Sequence, residues 1–438
     1  MNEEFLVPTL GKCSIKSPLQ LSTVKGDGIF DFIDDEERIV YDNSLKNIKE
    51  HLEAGKEPLS FEKAGPKENL YFEPAKTRVA IVTCGGLCPG LNNVIRGVVN
   101  HMWTRYGVTK IYGIQYGFAG FIPENNLPYI ELDPDVVDHI HKDGGSILGS
   151  SRGNQSVDQI VDSLERLNIN ILFTIGGDGT QRGAHDIYKE ITKRNLKISV
   201  AGIPKTIDND INFIERSFGF ETSFSIAMNI LNDAHNEAKG AYNGIAVVKL
   251  MGRDSGFIAA NAALASPDVN FVIIPEMDFD LYGPKGFLKT LHKRLEVKHH
   301  AVIAVAEGAG QSFFEQSNNK DASGNTKYED IGIYIKEKIN EEFKNKDFPH
   351  SIKYIDPSYI LRSAPANAND SKFCFQLAQN AVHAAMAGRT DFVVGCWQNT
   401  FTLLPIPLAT KERKRVNLED ELWWSVLEAT GQPTHMKN

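Results

Sequence analysis

Lys205-Thr206-Ile207-Asp208-Asn209-Asp210 gathers a cation, a hydroxyl and two carboxylates into six positions. Ahead of it, Ile198-Ser199-Val200-Ala201-Gly202-Ile203 is an apolar run that reads as a buried strand. In open α/β sheets, ligands bind beyond the carboxyl ends of strands. A carboxylate there can take a proton from a hydroxyl, and an ammonium can neutralise charge on a moving phosphoryl group. The stretch therefore suits phosphoryl transfer to an alcohol. If the strand continues, Asp208 and Asp210 share a face by the two-residue period. If a helix starts instead, Asp208 lies near its N-terminus, where a carboxylate is favoured. A plain Asp/Asn turn is the third option, and the crowding of polar types argues against it.

Three glycine-rich stretches accompany this motif. Gly85-Gly86-x-x-Pro89-Gly90-x-Asn92 joins an apolar run to an amphipathic stretch over 94–102. Glycines let a backbone approach a phosphate, and a helix N-terminus offers free N–H groups. A tight turn without chemistry reads as well, since neither a dinucleotide fingerprint nor a Walker loop is present. Gly176-Gly177-Asp178-Gly179-Thr180 sets one carboxylate among three glycines at a strand end. Asp178 suits an Mg²⁺ bridging phosphates, with a cap on the next helix as the alternative. The loop 144–153 ends in Arg152-Gly153. An arginine there can steady a transferring phosphoryl group, or simply face solvent. Met251-Gly252-Arg253 repeats the pattern of a cation in a glycine turn, which suits phosphate recognition. Glu307 directly follows an apolar run and can accept from sugar hydroxyls; taken singly, this residue and the 251–253 turn read as structural, and together they describe an anionic, hydroxylated substrate.

The elements that must carry these turns follow a rhythm that begins near residue 78. Apolar runs at 79–83, 171–175, 198–203, 245–248 and 301–306 each lead into one of the turns. Continuous apolar strands alternating with helical stretches predict parallel βαβ units with helices on both faces. The expected fold class is α/β: two doubly wound, mostly parallel, Rossmann-like domains plus an N-terminal arm over 1–75. The arm is charged, is expected to pack on the main body or on another subunit, and has one helix-like piece at 44–54, where Leu45, Ile48 and Leu52 recur at helical spacing. A nucleotide and metal domain is expected over 76–218 and 366–412, and an acceptor domain over 219–365 and 413–438. The polar run 315–330 reads as a surface loop.

Composition narrows the functional classes. The chain has 438 residues, 42% hydrophobic and 24% charged, with net charge −9. That balance disfavours a nucleic-acid partner, which needs a basic surface. No apolar run approaches the ~18 residues of a membrane span, and the acidic start Met1-Asn2-Glu3-Glu4 is unlike a signal or transit peptide. Five scattered cysteines form no Cys-x-x-Cys pair, which reads as free thiols in a reducing cytoplasm.

Taken in order, the motifs at 85–92, 144–152, 176–180, 204–210, 251–253 and 306–308 resemble those of the phosphofructokinase family over roughly 78–410. The resemblance implies transfer of a phosphoryl group to the 1-hydroxyl of fructose 6-phosphate with Mg²⁺. It makes Asp208 the general base, with Thr206 and Asp210 supporting it, and Lys205 a further catalytic residue whose cation can neutralise phosphate charge. Asp178 becomes the Mg²⁺ ligand, and Arg152 stabilises the transferring group. Gly85, Gly86, Gly153, Gly177, Gly179 and Thr180 line the donor. Thr206, Ile207, Met251, Gly252, Arg253 and Glu307 hold the sugar phosphate, and Lys353, Tyr359 and Arg362 match the family's 6-phosphate clamp. A homo-oligomer, tetramer or dimer, is the family expectation.

Several positions depart from the common bacterial ATP enzyme. That enzyme has glycine at the place of Lys205, histidine at Tyr359 and arginine at Lys353, and it lends an arginine across a subunit interface at the place of Gly244. Lys205 and the tyrosine-containing clamp resemble the pyrophosphate-dependent branch. Gly179 points the other way, because pyrophosphate users carry a second aspartate there, whose carboxylate would obstruct and repel a nucleotide's α-phosphate. Glycine at 179 with lysine at 205 resembles the ATP-dependent enzymes related to that branch, as in plants and trypanosomatids. ATP is therefore the expected donor, with pyrophosphate as the alternative.

Overall fold

The computed structural model describes residues 3–315 and 327–438. Most of the loop expected over 315–330 thus lies outside the described residues, as does the start of the chain. In chain order the strands are β1 (Ile15–Lys16), β2 (Arg38–Val40), β3 (Ser60–Lys63), β4 (Asn69–Leu70), β5 (Arg78–Thr83), β6 (Lys110–Ile114), β7 (Tyr129–Glu131), β8 (Ile171–Gly176), β9 (Ser199–Pro204), β10 (Gly244–Leu250), β11 (Phe271–Ile273), β12 (His300–Ala306), β13 (Ser351–Ile355), β14 (Phe392–Trp397) and β15 (Thr400–Pro405). The α-helices are α1 (Leu45–Glu53), α2 (Leu91–His101), α3 (Val157–Arg166), α4 (Asp178–Lys193), α5 (Phe220–Lys239), α6 (Phe257–Ala265), α7 (Phe287–Lys298), α8 (Ile331–Asn345), α9 (Ser358–Ser363), α10 (Ala368–Met386), α11 (Ile406–Ala409) and α12 (Glu421–Thr430). None is long and apolar enough to cross a membrane among the described residues.

Two compact units partition the chain. Unit 1 comprises Met1–Thr206, Ile211–Gly219 and Ala364–Glu412, and unit 2 comprises Ile207–Asp210, Phe220–Ser363 and Arg413–Asn438. Unit 1 is built on a nine-stranded sheet in the order β2-β3-β15-β14-β9-β8-β5-β6-β7. Its centre, β14-β9-β8-β5-β6, is parallel, and its flanks are antiparallel. Central strands β8 and β9 are buried along their whole length, as continuous apolar strands covered on both faces should be. The segment read as an arm does structural work here, since β2 and β3 complete one edge of the sheet and β1 pairs with β4. Helix α1 forms as expected, but it buries no residue, and Leu45 and Leu52 stay 66% and 62% exposed.

Unit 2 is built on a four-stranded, wholly parallel sheet in the order β11-β12-β10-β13. Residues Ile245–Val248 and Ala301–Ala306 are completely buried in it. In a parallel sheet all carboxyl ends lie on one edge, so each sheet presents its turns together.

Candidate active site

In unit 1 the turns after β5, β8 and β9 lie side by side, because these three strands are neighbours in the sheet. Gly85 has φ +86°, a conformation open to glycine at little cost. Its N–H donates to the Ser151 carbonyl at 3.0 Å, and its own carbonyl accepts from the Ser150 hydroxyl at 2.6 Å. The loop 144–153 is thereby tied onto the first glycine turn. Asn92 reinforces this tie, its Oδ1 accepting from the Ile147 N–H at 2.9 Å and its Nδ2 donating to the Asp143 carbonyl at 3.2 Å. Arg152 Nη2 lies 3.2 Å from where a Cβ on Gly86 would project, so any larger residue at 86 would press on the guanidinium. Gly153 turns the chain away at φ +96°.

Lys205 completes this cluster. Its side chain is buried, and Nζ donates to the Gly86 carbonyl at 2.6 Å. Its backbone N–H donates to the Gly176 carbonyl at 3.0 Å. One residue thus joins the turns after β5 and β8. The alternatives left open for 205–210 resolve as neither strand nor helix: β9 stops at Pro204, a turn follows, and α5 begins only at Phe220. Asn209 takes φ +55°, a left-handed conformation that asparagine tolerates. The motif is also divided, with Lys205 and Thr206 in unit 1 and Ile207 to Asp210 in unit 2. The Thr206 carbonyl accepts from the Ser217 hydroxyl at 2.6 Å.

Gly177 is the N-cap of α4, and Asp178 is that helix's first residue. Asp178 Oδ2 pairs with Arg182 Nη2 at 2.9 Å, one turn further along. The arginine is 57% exposed, so the pair is weak and can yield to a ligand. Beneath them Thr180 is buried, its Oγ1 so near Gly176 that a Cβ there would lie at 2.3 Å. Gln181, the next residue, is fully buried and donates to the Gly176 carbonyl at 3.0 Å. At Gly179 a Cβ would meet nothing within 4 Å. Among the described residues no group of three or more His, Cys, Asp and Glu side chains could hold a metal unaided. Mg²⁺ commonly uses one or two carboxylates with water and substrate phosphates, so Asp178 alone fits such an ion.

In unit 2 the turns after β10 and β12 interlock. Gly252 takes φ +123°, and a Cβ on Gly308 would lie 1.7 Å from the Arg253 carbonyl. Arg253 is aimed by stacking, its Cζ 5.1 Å from the Tyr328 ring centroid. Met251 is half-buried, and Glu307 donates its N–H to the Leu250 carbonyl at 2.9 Å. Burial raises the Glu307 carboxyl pKa above its ordinary value, opposed by the charges of Lys249 and Arg253. Lys353 stands exposed on β13, and α9 carries Tyr359 and Arg362 with the guanidinium 4.6 Å from the tyrosine ring centroid.

Ile207 is buried, and the Asp208 carbonyl accepts from the buried Ser255 hydroxyl at 3.1 Å. The Asp210 carbonyl accepts from the Lys414 N–H at 2.9 Å. Arg413 Nη1 hydrogen-bonds Asp254 and lies 3.8 Å from Asp210 Oδ2. Sequence reasoning missed Arg413 and Tyr328, since nothing in their local spacing marks them, and it gave no role to Ser255, which lies in the glycine turn after β10. At Gly244, where the bacterial enzyme has its interface arginine, a Cβ would lie 2.0 Å from the Ala238 carbonyl oxygen, so this backbone admits no side chain there.

The chain matches the family model described as phosphofructokinase over residues 78–385. It is 52% identical to the ATP-dependent 6-phosphofructokinase of Borreliella burgdorferi, covering 100% of this chain and 98% of that protein. It is 43% identical to the enzyme of that name from Amycolatopsis methanolica, over 98% and 95%, and 49% identical to the chloroplastic ATP-dependent 6-phosphofructokinase 5 of Arabidopsis thaliana, over 85% and 69%. The fold is similar to the crystal structure of the pyrophosphate-dependent phosphofructokinase of Marinobacter aquaeolei, with TM-score 0.66, 19% identity and coverage of 81% and 91%. The glycine turns beside parallel strands, the Lys205 and Asp208 motif and the full-length similarity lead to one statement: this chain belongs to the phosphofructokinase family.

Proposed function

We propose that the chain is an ATP-dependent 6-phosphofructokinase, which moves the γ-phosphoryl group of ATP to the 1-hydroxyl of D-fructose 6-phosphate and yields fructose 1,6-bisphosphate. Gly179 carries the choice of donor. Glycine in a helix costs about 1 kcal/mol relative to alanine, and protein packing gives no reason for it, since a Cβ there has open space. Close approach of a nucleotide supplies the reason. An aspartate at 179 would instead add a second negative charge beside Asp178, facing the donor's phosphates. The ATP-dependent relatives at 43–52% identity support the same donor.

In this reading unit 1 binds the donor and unit 2 the acceptor. Gly85, Gly86, Gly153, Gly177, Gly179 and Thr180 line the phosphates. Asp178 would hold Mg²⁺, which when bound neutralises charge on the donor phosphates. Asp208 takes the proton of the 1-hydroxyl as that oxygen bonds to the γ-phosphorus and the bond to the β-phosphate oxygen breaks, leaving ADP. Thr206 and Asp210 support Asp208, while Arg152 and Lys205 stabilise negative charge on the transferring group. Met251, Gly252, Arg253, Lys353, Tyr359 and Arg362 hold the sugar phosphate, and Glu307 accepts from sugar hydroxyls. A cytoplasmic homo-oligomer is the accompanying proposal, which light scattering tests.

Lys205 motivates the second reading, a pyrophosphate-dependent enzyme. Purified protein given fructose 6-phosphate, Mg²⁺ and either donor at equal concentration separates the two. Turnover with ATP is expected; turnover with pyrophosphate and none with ATP would reverse the assignment.

A further inference from the structure

Lys249 lies in β10, two residues before Met251, and its side chain is only 13% exposed. Its ammonium reaches Asp330 Oδ2 at 2.6 Å and Asp356 Oδ2 at 2.9 Å. Asp330 is the N-cap of α8, and Asp356 lies two residues before α9. Asp330 Oδ1 accepts from the Ile333 N–H in the first turn of α8 at 3.0 Å, and Asp356 Oδ1 accepts from the Ser358 N–H at the start of α9 at 3.1 Å. The Tyr354 hydroxyl, from β13, also donates to Asp330, at 2.8 Å. A single buried cation therefore pins together the entrances of two helices and the strand alongside.

A lysine is seldom buried unless it is paired. Burial works against this one's charge, and hydrogen bonds to Asp330 and Asp356 more than offset it, so its pKa is raised and it remains an ammonium at any physiological pH. The second helix entrance matters most, because α9 bears Tyr359 and Arg362. Charge matters as well. The Glu307 carboxyl interacts electrostatically with Lys249, Arg253, Asp356 and Arg362. Without the lysine, three carboxylates (Glu307, Asp330 and Asp356) would confront an incoming phosphate dianion with less compensation.

We propose that Lys249 is a positioning residue for the acceptor's phosphate: by bridging Asp330 and Asp356 it sets the turn that leads into α9, and so Tyr359 and Arg362, and it offsets carboxylate charge near them. The inference rests on reading unit 2 as the sugar-phosphate unit.

The test is steady-state kinetics of the full-length chain with ATP and fructose 6-phosphate, comparing wild type with Lys249→Met, Lys249→Arg and the double variant Lys249→Met/Asp356→Asn. Loss of a charge-assisted contact predicts a KM for fructose 6-phosphate raised about tenfold or more in Lys249→Met, with kcat and KM for ATP unchanged. Lys249→Arg, which keeps the charge, recovers part of the loss, and so does the double variant, which removes a carboxylate left uncompensated. An unchanged KM for fructose 6-phosphate in Lys249→Met overturns the proposal. So does a parallel fall in kcat and both affinities, which marks a purely structural lysine. If Lys249→Met does not fold, Lys249→Gln, which also removes the charge, must raise the same KM selectively. Wild-type protein that makes no fructose 1,6-bisphosphate would instead overturn the functional reading beneath the inference.

Discussion

Two positions divide the proposed chemistry into testable parts. Asp208 is assigned the proton, so Asp208→Ser should cut kcat by ~10²–10⁴-fold while leaving the KM for fructose 6-phosphate nearly unchanged. An unaltered kcat would remove Asp208 from the reaction. Gly179 is assigned the donor. Because a Cβ at 179 has open space, Gly179→Asp should fold with an unchanged Tm, yet raise the KM for ATP by repulsion. A variant of normal Tm with unchanged KM for ATP would show that position 179 does not select the donor. Both residues were legible in the sequence, because each lies in a short motif of unusual types. Lys205 was legible as a cation but not as a strut. That its ammonium holds the Gly86 carbonyl follows from the order of β9, β8 and β5 in the sheet, which local spacing does not encode.

At the scale of elements, the N-terminal segment is the largest change from the sequence reading. Its charged composition suggested an arm packed on the main body or on another subunit; β2 and β3 pack on the main body as strands of its sheet, which the composition did not indicate. Short, half-polar edge strands lack the continuous apolar run that identifies a central strand, and so they escape periodicity. Their anchor is ionic. Arg389, beyond α10, donates from Nε to Glu62 Oε1 of β3 at 2.9 Å and from Nη2 to Asp35 Oδ1 at 2.8 Å. Arg389 and Glu62 are both less than 10% exposed. Lys67 Nζ, 2.9 Å from Asp35 Oδ1 and 3.7 Å from Glu62 Oε1, still offsets part of the acidic charge when Arg389 is removed, so Arg389→Ala should cost less than the full loss of a buried pair, about 2 kcal/mol in urea unfolding, and should speed proteolysis within residues 1–75. A loss near zero would mean that the edge strands hold without the pair.

For the molecule as a whole, stability should carry an acid-side signature. Burial pushes the Asp391 carboxyl up to about 6, against the opposing hydrogen bond of His185, whose Nδ1 lies 3.0 Å away. A carboxyl with a raised folded pKa contributes stability below its unfolded value of 3.8, and that contribution is lost as pH rises through about 6. Asp391→Asn, which cannot ionise, should flatten the pH dependence of Tm between about 4 and 6 relative to wild type. An identical Tm profile in the variant would exclude Asp391 as its source.

The sequence by itself determined the α/β class, the carboxyl-edge turns and most of the residues proposed for chemistry. These are local properties: strands buried on both faces read as continuous apolar runs, and phosphate-facing turns demand glycine beside a few polar types. Only the tertiary structure decided which distant groups hold those turns in place. Lys205 and Gly86 are 119 positions apart, Lys249 and Asp330 are 81 apart, and Arg413 and Asp254 are 159 apart. Each such contact depends on the path of every element between its partners. No periodicity in the chain records that path, so a supporting residue such as Lys249 looks, in sequence, like one charged position on an otherwise apolar strand.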